Sequence, residues 1–169
     1  MSIEAGTHKI GPSNGSLKVK TGKEGAAAKM GHNLTLGVNS WEATVEGGDS
    51  PSIKLTADPN SVEVVSGEGG AKPLGDKDKA DIKKTIDGKV LGSSQITFTS
   101  SEVTDSEAKG DLSIAGKSSQ VSIPISVSGD KISGSTTLSQ KDFGIKPFST
   151  MMGALKVTDQ VTVEFEGSL

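Results

Sequence analysis

Arginine is missing from this chain altogether, and so is cysteine. Without arginine there is no side chain for a bidentate grip on phosphates. With a formal net charge of −3 and a pI near 5.4 there is no electrostatic attraction to nucleic acid either, so nucleic acid is not an expected partner. Without cysteine, disulfides and thiolate metal sites cannot form. Aromatic side chains amount to Trp41 and four phenylalanines, too few to fill a large interior. No segment approaches the roughly 18 consecutive apolar residues of a membrane-spanning helix. The opening stretch "MSIEAGTHKIGPSNGS" lacks the basic segment and apolar run of an export leader. A soluble, cytoplasmic protein without a transmembrane segment is expected, with a periplasmic or secreted location only if a leader has been removed.

What the chain does have is glycine, serine and threonine in abundance, the composition of many short strands joined by tight turns. Its 169 residues suffice for one domain, residues 1–169, with a real core. Apolar residues alternate at Leu17/Val19, Ile53/Leu55/Ala57, Ile96/Phe98, Leu112/Ile114, Val121/Ile123/Ile125/Val127 and Val161/Val163/Phe165, each run bounded by turn-forming residues. Each reads as a strand with one buried face. In "NLTLGVNSWEATVE" the alternation changes phase: Leu34, Leu36 and Val38 share one parity, Trp41, Ala43 and Val45 the other. One extra residue near Asn39-Ser40 accounts for this, the mark of a β-bulge bending a long strand, and bent long strands are what closing a barrel requires. Hairpin turns are legible at "AGKSS" (115–119) and "VSGDKI" (127–132). One segment breaks the pattern. "LGDKDKADIKKTIDGKV" (74–90) starts with acids, spaces Ile82 and Ile86 four apart, ends in lysines and places Gly88 beyond them, which predicts a short helix over about 77–87 that stops at that glycine.

Several familiar motifs fail on inspection. Asp142-Phe143-Gly144 is the triplet of the kinase magnesium loop, but a kinase also needs a His-Arg-Asp catalytic loop, impossible without arginine. "GDLSIAGKSS" misses P-loop spacing by one residue and leads into a strand-like run where a helix is required. "DKDKADIKKTID" has Ala80 and Asp81 at the fifth and sixth positions of a calcium loop, where a ligand and a glycine belong. His8 and His32 lack the close-spaced partners of a metal site. No Ser/His/acid or paired-carboxylate set can be assembled from spacing, so no catalytic residue and no metal site is assigned. The stretch after the Asp-Phe-Gly triplet, "IKPFSTMMGALKV", is a ragged apolar segment whose methionines suit an adaptable surface. A barrel end plugged by its own loop and a ligand-lining role both fit it.

The ordered set "GSLKVKT", "KMGHNLTLGVNSWEATV", "SIKLTADPNSVEV", "ITFTSSEV", "GDLSIAGKSSQVSIPISV", "LSQKDFGIK" and "VTDQVTVEFEG" resembles the YceI-like family of lipocalin-like polyisoprenoid-binding proteins, over about residues 7–167. The resemblance implies an all-β, eight-stranded antiparallel barrel with one short flanking helix, holding a polyprenyl lipid, a quinone or another amphiphilic lipid in an apolar interior. It implies no cofactor beyond such a ligand. The Asp-Phe-Gly stretch would then end a late barrel strand. "KVLGSSQ" departs from the family, where relatives often have an aromatic-proline pair before this strand, so that wall of the pocket is expected to differ.

On this basis the expected wall residues are Met30, Leu34, Leu36, Trp41, Phe98, Phe143, Phe148, Met151, Met152 and Leu155, with His32 carried over as a pocket-mouth residue. The leading expectation is a non-catalytic protein that binds, transports or stores a long-chain isoprenoid, its partner a lipophilic small molecule. The alternative is a structural or stress-related scaffold whose barrel is filled by its own side chains and which contacts a protein. A third reading, an enzyme acting on a lipophilic substrate, would need a titratable cluster seeded by His32. A homodimer is left open.

Overall fold

The computed structural model describes residues 3–169. In chain order the strands are β1 (Gly6–Ile10), β2 (Gly15–Lys20), β3 (Lys23–Glu24), β4 (Asn33–Val38), β5 (Trp41–Gly47), β6 (Ser52–Ala57), β7 (Val62–Glu68), β8 (Ile96–Val103), β9 (Glu107–Ile114), β10 (Lys117–Ser128), β11 (Lys131–Ser139), β12 (Ser149–Thr150), β13 (Leu155–Val157) and β14 (Gln160–Ser168), with one helix, α1 (Asp76–Thr85), between β7 and β8. Eleven of them form one antiparallel sheet in the order β1-β5-β6-β8-β9-β10-β11-β14-β2-β4-β7, and β12-β13-β3 form a small second sheet.

Three pairs in the large sheet, β1/β2, β4/β5 and β6/β7, are each one long strand bent in the middle. Taken as single strands they reduce the eleven to eight, and the ring closes where β14 pairs with β2, Val163 opposite Val19 and Phe165 opposite Leu17. This is the curled, lipocalin-like arrangement expected of the sequence. The bends are built by short polar side chains. At the first, Asn14 donates to the carbonyls of Lys9 (2.9 Å) and Ser168 (3.1 Å) and accepts from the Gly11 amide (2.8 Å). At the second and third, the amides of Asn39 and Ser40 donate to the Ser61 carbonyl and hydroxyl, both near 3 Å.

The change of phase falls at Asn39-Ser40 as the alternation requires, but as a two-residue bend between β4 and β5. The register slips lie on other strands: β7 carries Val65 as an extra residue opposite Thr35/Leu36, and β8 carries Ser101 opposite Lys109/Gly110. The hairpins at Ala115-Gly116 and Gly129-Asp130 form as read. Ala115 and Gly116 both adopt positive φ (53° and 79°), as a two-residue turn matched to strand twist demands.

The helix requires a correction at its end. Asp76 and Asp78 occupy its first turn, with the Asp78 carboxylate accepting from the Gly75 amide at 3.0 Å. Gly88 does not stop it. The chain runs on through a π-helical turn, Ile86–Val90, and the left-handed residue is Gly92 (φ +66°). Lengthening the segment in this way brings Val90 and Leu91 to the same interior as Ile82 and Ile86.

Candidate functional site

The inward-facing residues divide the barrel into a filled half and a hollow half. In the filled half Ile10, Trp41, Ala43, Val45, Phe98, Val127 and Ile132 are all buried. Trp41 meets Phe165 edge to face, ring centroids 5.7 Å apart at 72°. Toward the other end of the barrel the lining includes Val19, Leu36, Val38, Val62, Ile96, Ile114, Leu138, Val161 and Val163, around a cavity of about 390 Å³.

The hollow half arises because the sheet splits there. β7 is the end of the sheet order and does not pair with β8. α1 and the π turn lie across that gap, with Ile82, Thr85 and Ile86 facing in. β10 and β11 pair only between Ile125–Ser128 and residues 131–134, so their other halves diverge. The 3-10 turn Gln140–Phe143 wedges between them and plugs the gap with buried Phe143 and Ile145. Gly144 (φ +69°) turns the chain away again. The Asp-Phe-Gly triplet is therefore a barrel plug.

Two anchors hold these covers. Lys83 Nζ donates to the carbonyls of Asn60 (2.7 Å) and Val62 (3.1 Å) and pairs with Asp87 at 3.3 Å, pinning α1 to the third bend. Among the described residues, the other Asp87 oxygen is the one buried side-chain polar atom without a hydrogen-bond partner. Lys83→Met should therefore lose all three bonds and leave Asp87 worse off, lowering stability by about 1–2 kcal/mol. Hydrogen exchange should show the α1 amides opening first, and unchanged protection there would refute the anchor.

The second anchor is Asp159. Its carboxylate accepts from the Ser139 hydroxyl and from the Lys141 amide (3.0 Å), while its carbonyl accepts from the Gln140 amide at 2.9 Å. The Ser139 hydrogen bond, helped by the Lys141 amide and charge, holds this carboxyl below the ordinary aspartate range against a smaller opposing effect of desolvation. A depressed folded-state pKa contributes stability that is present above the unfolded value, near 4, and is lost as pH falls through the lower folded value. Asp159→Asn should accordingly lower the melting temperature at pH 7 and matter progressively less as the pH drops below about 4. A pH-independent difference would contradict that role.

Gln140 is the one buried polar residue among those described; it lines the cavity, and its side-chain amide donates to the Thr158 carbonyl at 2.9 Å. With Ser139, Thr21, Thr85 and Asp81 it supplies the few polar groups in an otherwise apolar lining. No group of three or more His, Asp or Glu that could hold a metal ion occurs among the described residues.

Of the wall residues expected from sequence, Leu34, Leu36, Phe143 and Phe148 line the cavity. Trp41 and Phe98 are buried, but in the filled half. They are the bulkiest inward groups of their strands, and bulk closes space instead of bordering it. Met30, Met151 and Met152 are exposed, and Leu155 is half-buried against Gly31. His32 is half-buried outside the lining and donates through Nε2 to the Lys72 carbonyl at 2.7 Å, a backbone partner and not a carboxylate. Sequence reasoning passed over Val19, Val38, Val62, Ile82, Ile86, Ile96, Ile114, Leu138, Val161 and Val163 as wall residues. Strand alternation marks most of them as inward. The missing knowledge was which half is hollow.

The YceI-like domain model matches residues 9–169. The fold is similar to the crystal structure of Burkholderia cenocepacia BcnA, with a TM-score of 0.66 and 18% identity, over 93% of this chain and 97% of that one. It is also similar to a mutant CJ YCEI protein made for nanotechnology applications, with a TM-score of 0.55 and 13% identity, over 79% and 82%. No curated protein sequence matches significantly. No helix among the described residues is long and apolar enough to cross a membrane.

Proposed function

We propose that this chain, which belongs to the YceI-like family, is a non-catalytic carrier or store for an isoprenoid lipid, its apolar tail lying in the hollow half of the barrel. The observation that carries this reading is the cavity itself: about 390 Å³, walled by branched aliphatic side chains from nearly every strand and closed by α1 and the Gln140–Phe143 plug. That volume falls in the range of small-molecule sites, roughly 300–1,000 Å³. Each buried methylene contributes about 0.8 kcal/mol to binding, so a branched hydrocarbon of several isoprene units gains affinity without any hydrogen bond. The polar head stays near Gln140 and Ser139 or outside the mouth.

The lining favours a carrier over an enzyme. Its titratable group is Asp81 on the helix side, with no histidine and no second carboxylate among the lining residues. General acid–base chemistry calls for a positioned pair. The test is native mass spectrometry of the protein purified from its own host, followed by organic extraction. A stoichiometric isoprenoid or quinone is the expected result. An empty protein that also refuses added polyprenols would move the reading to a scaffold.

A further inference from the structure

At the hollow end, two segments far apart in sequence form one lobe. β13 pairs with β12 and β3, the Ala27 amide donates to the Ala154 carbonyl at 2.7 Å, and Leu155 packs on Gly31. The lobe displays Met30, Phe148, Met151 and Met152, four of the five exposed large hydrophobic residues among those described, and Met152 is fully exposed. Met151 and Met152 both adopt left-handed backbone (φ 53° and 55°), a conformation that costs free energy in residues other than glycine. Both thioether side chains stand exposed, where burial would favour the opposite. The two segments of the lobe, residues 23–31 and 146–156, carry four lysines and one acid, Glu24, although the whole chain has a net charge of −3; Lys29, Lys146 and Lys156 are exposed, while Lys23 donates to the Gly31 carbonyl at 2.9 Å. Phe148 belongs to both regions, since it lines the cavity and is 37% exposed. The apolar interior is thus continuous with the displayed tip.

We propose that this lobe docks on an anionic lipid bilayer, inserting the Met151-Met152 tip and Phe148 among the headgroups while the lysines pair with lipid phosphates, so that an isoprenoid passes along Phe148 into the cavity. Insertable apolar side chains on segments that also carry exposed lysines are the pattern that binds interfaces through combined burial and electrostatics. The proposal rests on the carrier reading but is separable from it. A carrier could equally be loaded from solution, with the lobe playing no part.

The experiment is flotation with vesicles of phosphatidylglycerol and phosphatidylcholine against phosphatidylcholine alone, paired with uptake of farnesol from solution. The wild-type chain should float with the anionic vesicles and bind the neutral ones about tenfold more weakly. Met151→Ser/Met152→Ser should weaken the anionic binding about tenfold, and Lys29→Glu/Lys146→Glu should do likewise. All four positions are exposed, so both variants should fold and still take up farnesol from solution. Wild-type protein that takes up farnesol but ignores both vesicle types overturns the docking and leaves the carrier standing. Vesicle binding without farnesol uptake overturns the carrier as the reason for docking. Dimerisation abolished in Met151→Ser/Met152→Ser, without vesicle binding, would replace the bilayer with a second copy of the chain.

Discussion

Val163→Trp should weaken isoprenoid uptake about a hundredfold and leave the barrel folded. Val163 sits on β14 between Thr136 of β11 and Val19 of β2, and its side chain faces the hollow half. An indole there occupies space that the ligand tail requires. If it displaces three to four methylene equivalents, affinity falls by about 2–3 kcal/mol, or roughly a hundredfold. Overpacking a tight core typically costs about 1–3 kcal/mol, but this site borders a void of about 390 Å³, so the added surface finds room and the melting temperature should hold or rise. Titration with a polyprenol, read alongside thermal unfolding, checks both halves of the expectation. A stable Val163→Trp protein with undiminished affinity would put the ligand elsewhere.

Trp41→Ala should have the opposite profile. Trp41 lies in the filled half against Phe165, with its ring edge beside the close approach of Gly15, where an added Cβ would come within 3.1 Å of the indole. Removing so large a buried side chain should cost about 3–5 kcal/mol, a major share of the stability of a domain this size. The part that remains folded should bind ligand with unchanged affinity, because the missing ring never touched the cavity. From sequence alone Trp41 is a pocket wall whose loss weakens binding. The structure turns it into a foundation whose loss weakens the fold. Denaturant unfolding with and without ligand separates the two: a stable but non-binding Trp41→Ala protein would restore the pocket assignment.

The contrast between these residues shows what local pattern carries and what it does not. Period-2 alternation identified the inward face of nearly every strand, and the phase change between Val38 and Trp41 located the bend that lets the sheet close. Both signals are properties of a few neighbouring residues. Whether an inward residue borders a void or a neighbour depends on where opposing strands separate. That separation is set by the pairing lost between β7 and β8 and between β10 and β11, which alternation does not record. The four-residue spacing of Ile82 and Ile86 predicts a helix, yet their role as a cavity wall appears only when α1 lies across the first gap. Gly88 was misleading for a related reason. A glycine normally ends a helix where nothing else holds the chain, and here Val90 and Leu91 are held by the apolar interior they help to line.

A half-filled barrel also joins the two expectations drawn from sequence. The end built around Trp41, Val45 and Ile132 is packed with side chains as a scaffold would be, and it lets the other end stay hollow without collapsing. The covers over the hollow end are fastened by polar anchors, Lys83 on one side and Asp159 on the other. On the carrier reading proposed above, an access route is better closed by a few hydrogen bonds than by continuous sheet, since such bonds are worth about 1 kcal/mol each and can be exchanged with water.

The most direct measurement is a crystal structure of the protein loaded with a short all-trans polyprenol. The account predicts continuous density for one hydrocarbon chain between Leu36, Ile82, Ile114 and Val163, with its hydroxyl end toward Gln140 or the mouth at Phe148. Density confined to the outer surface, or an empty cavity in crystals grown with saturating ligand, would contradict it.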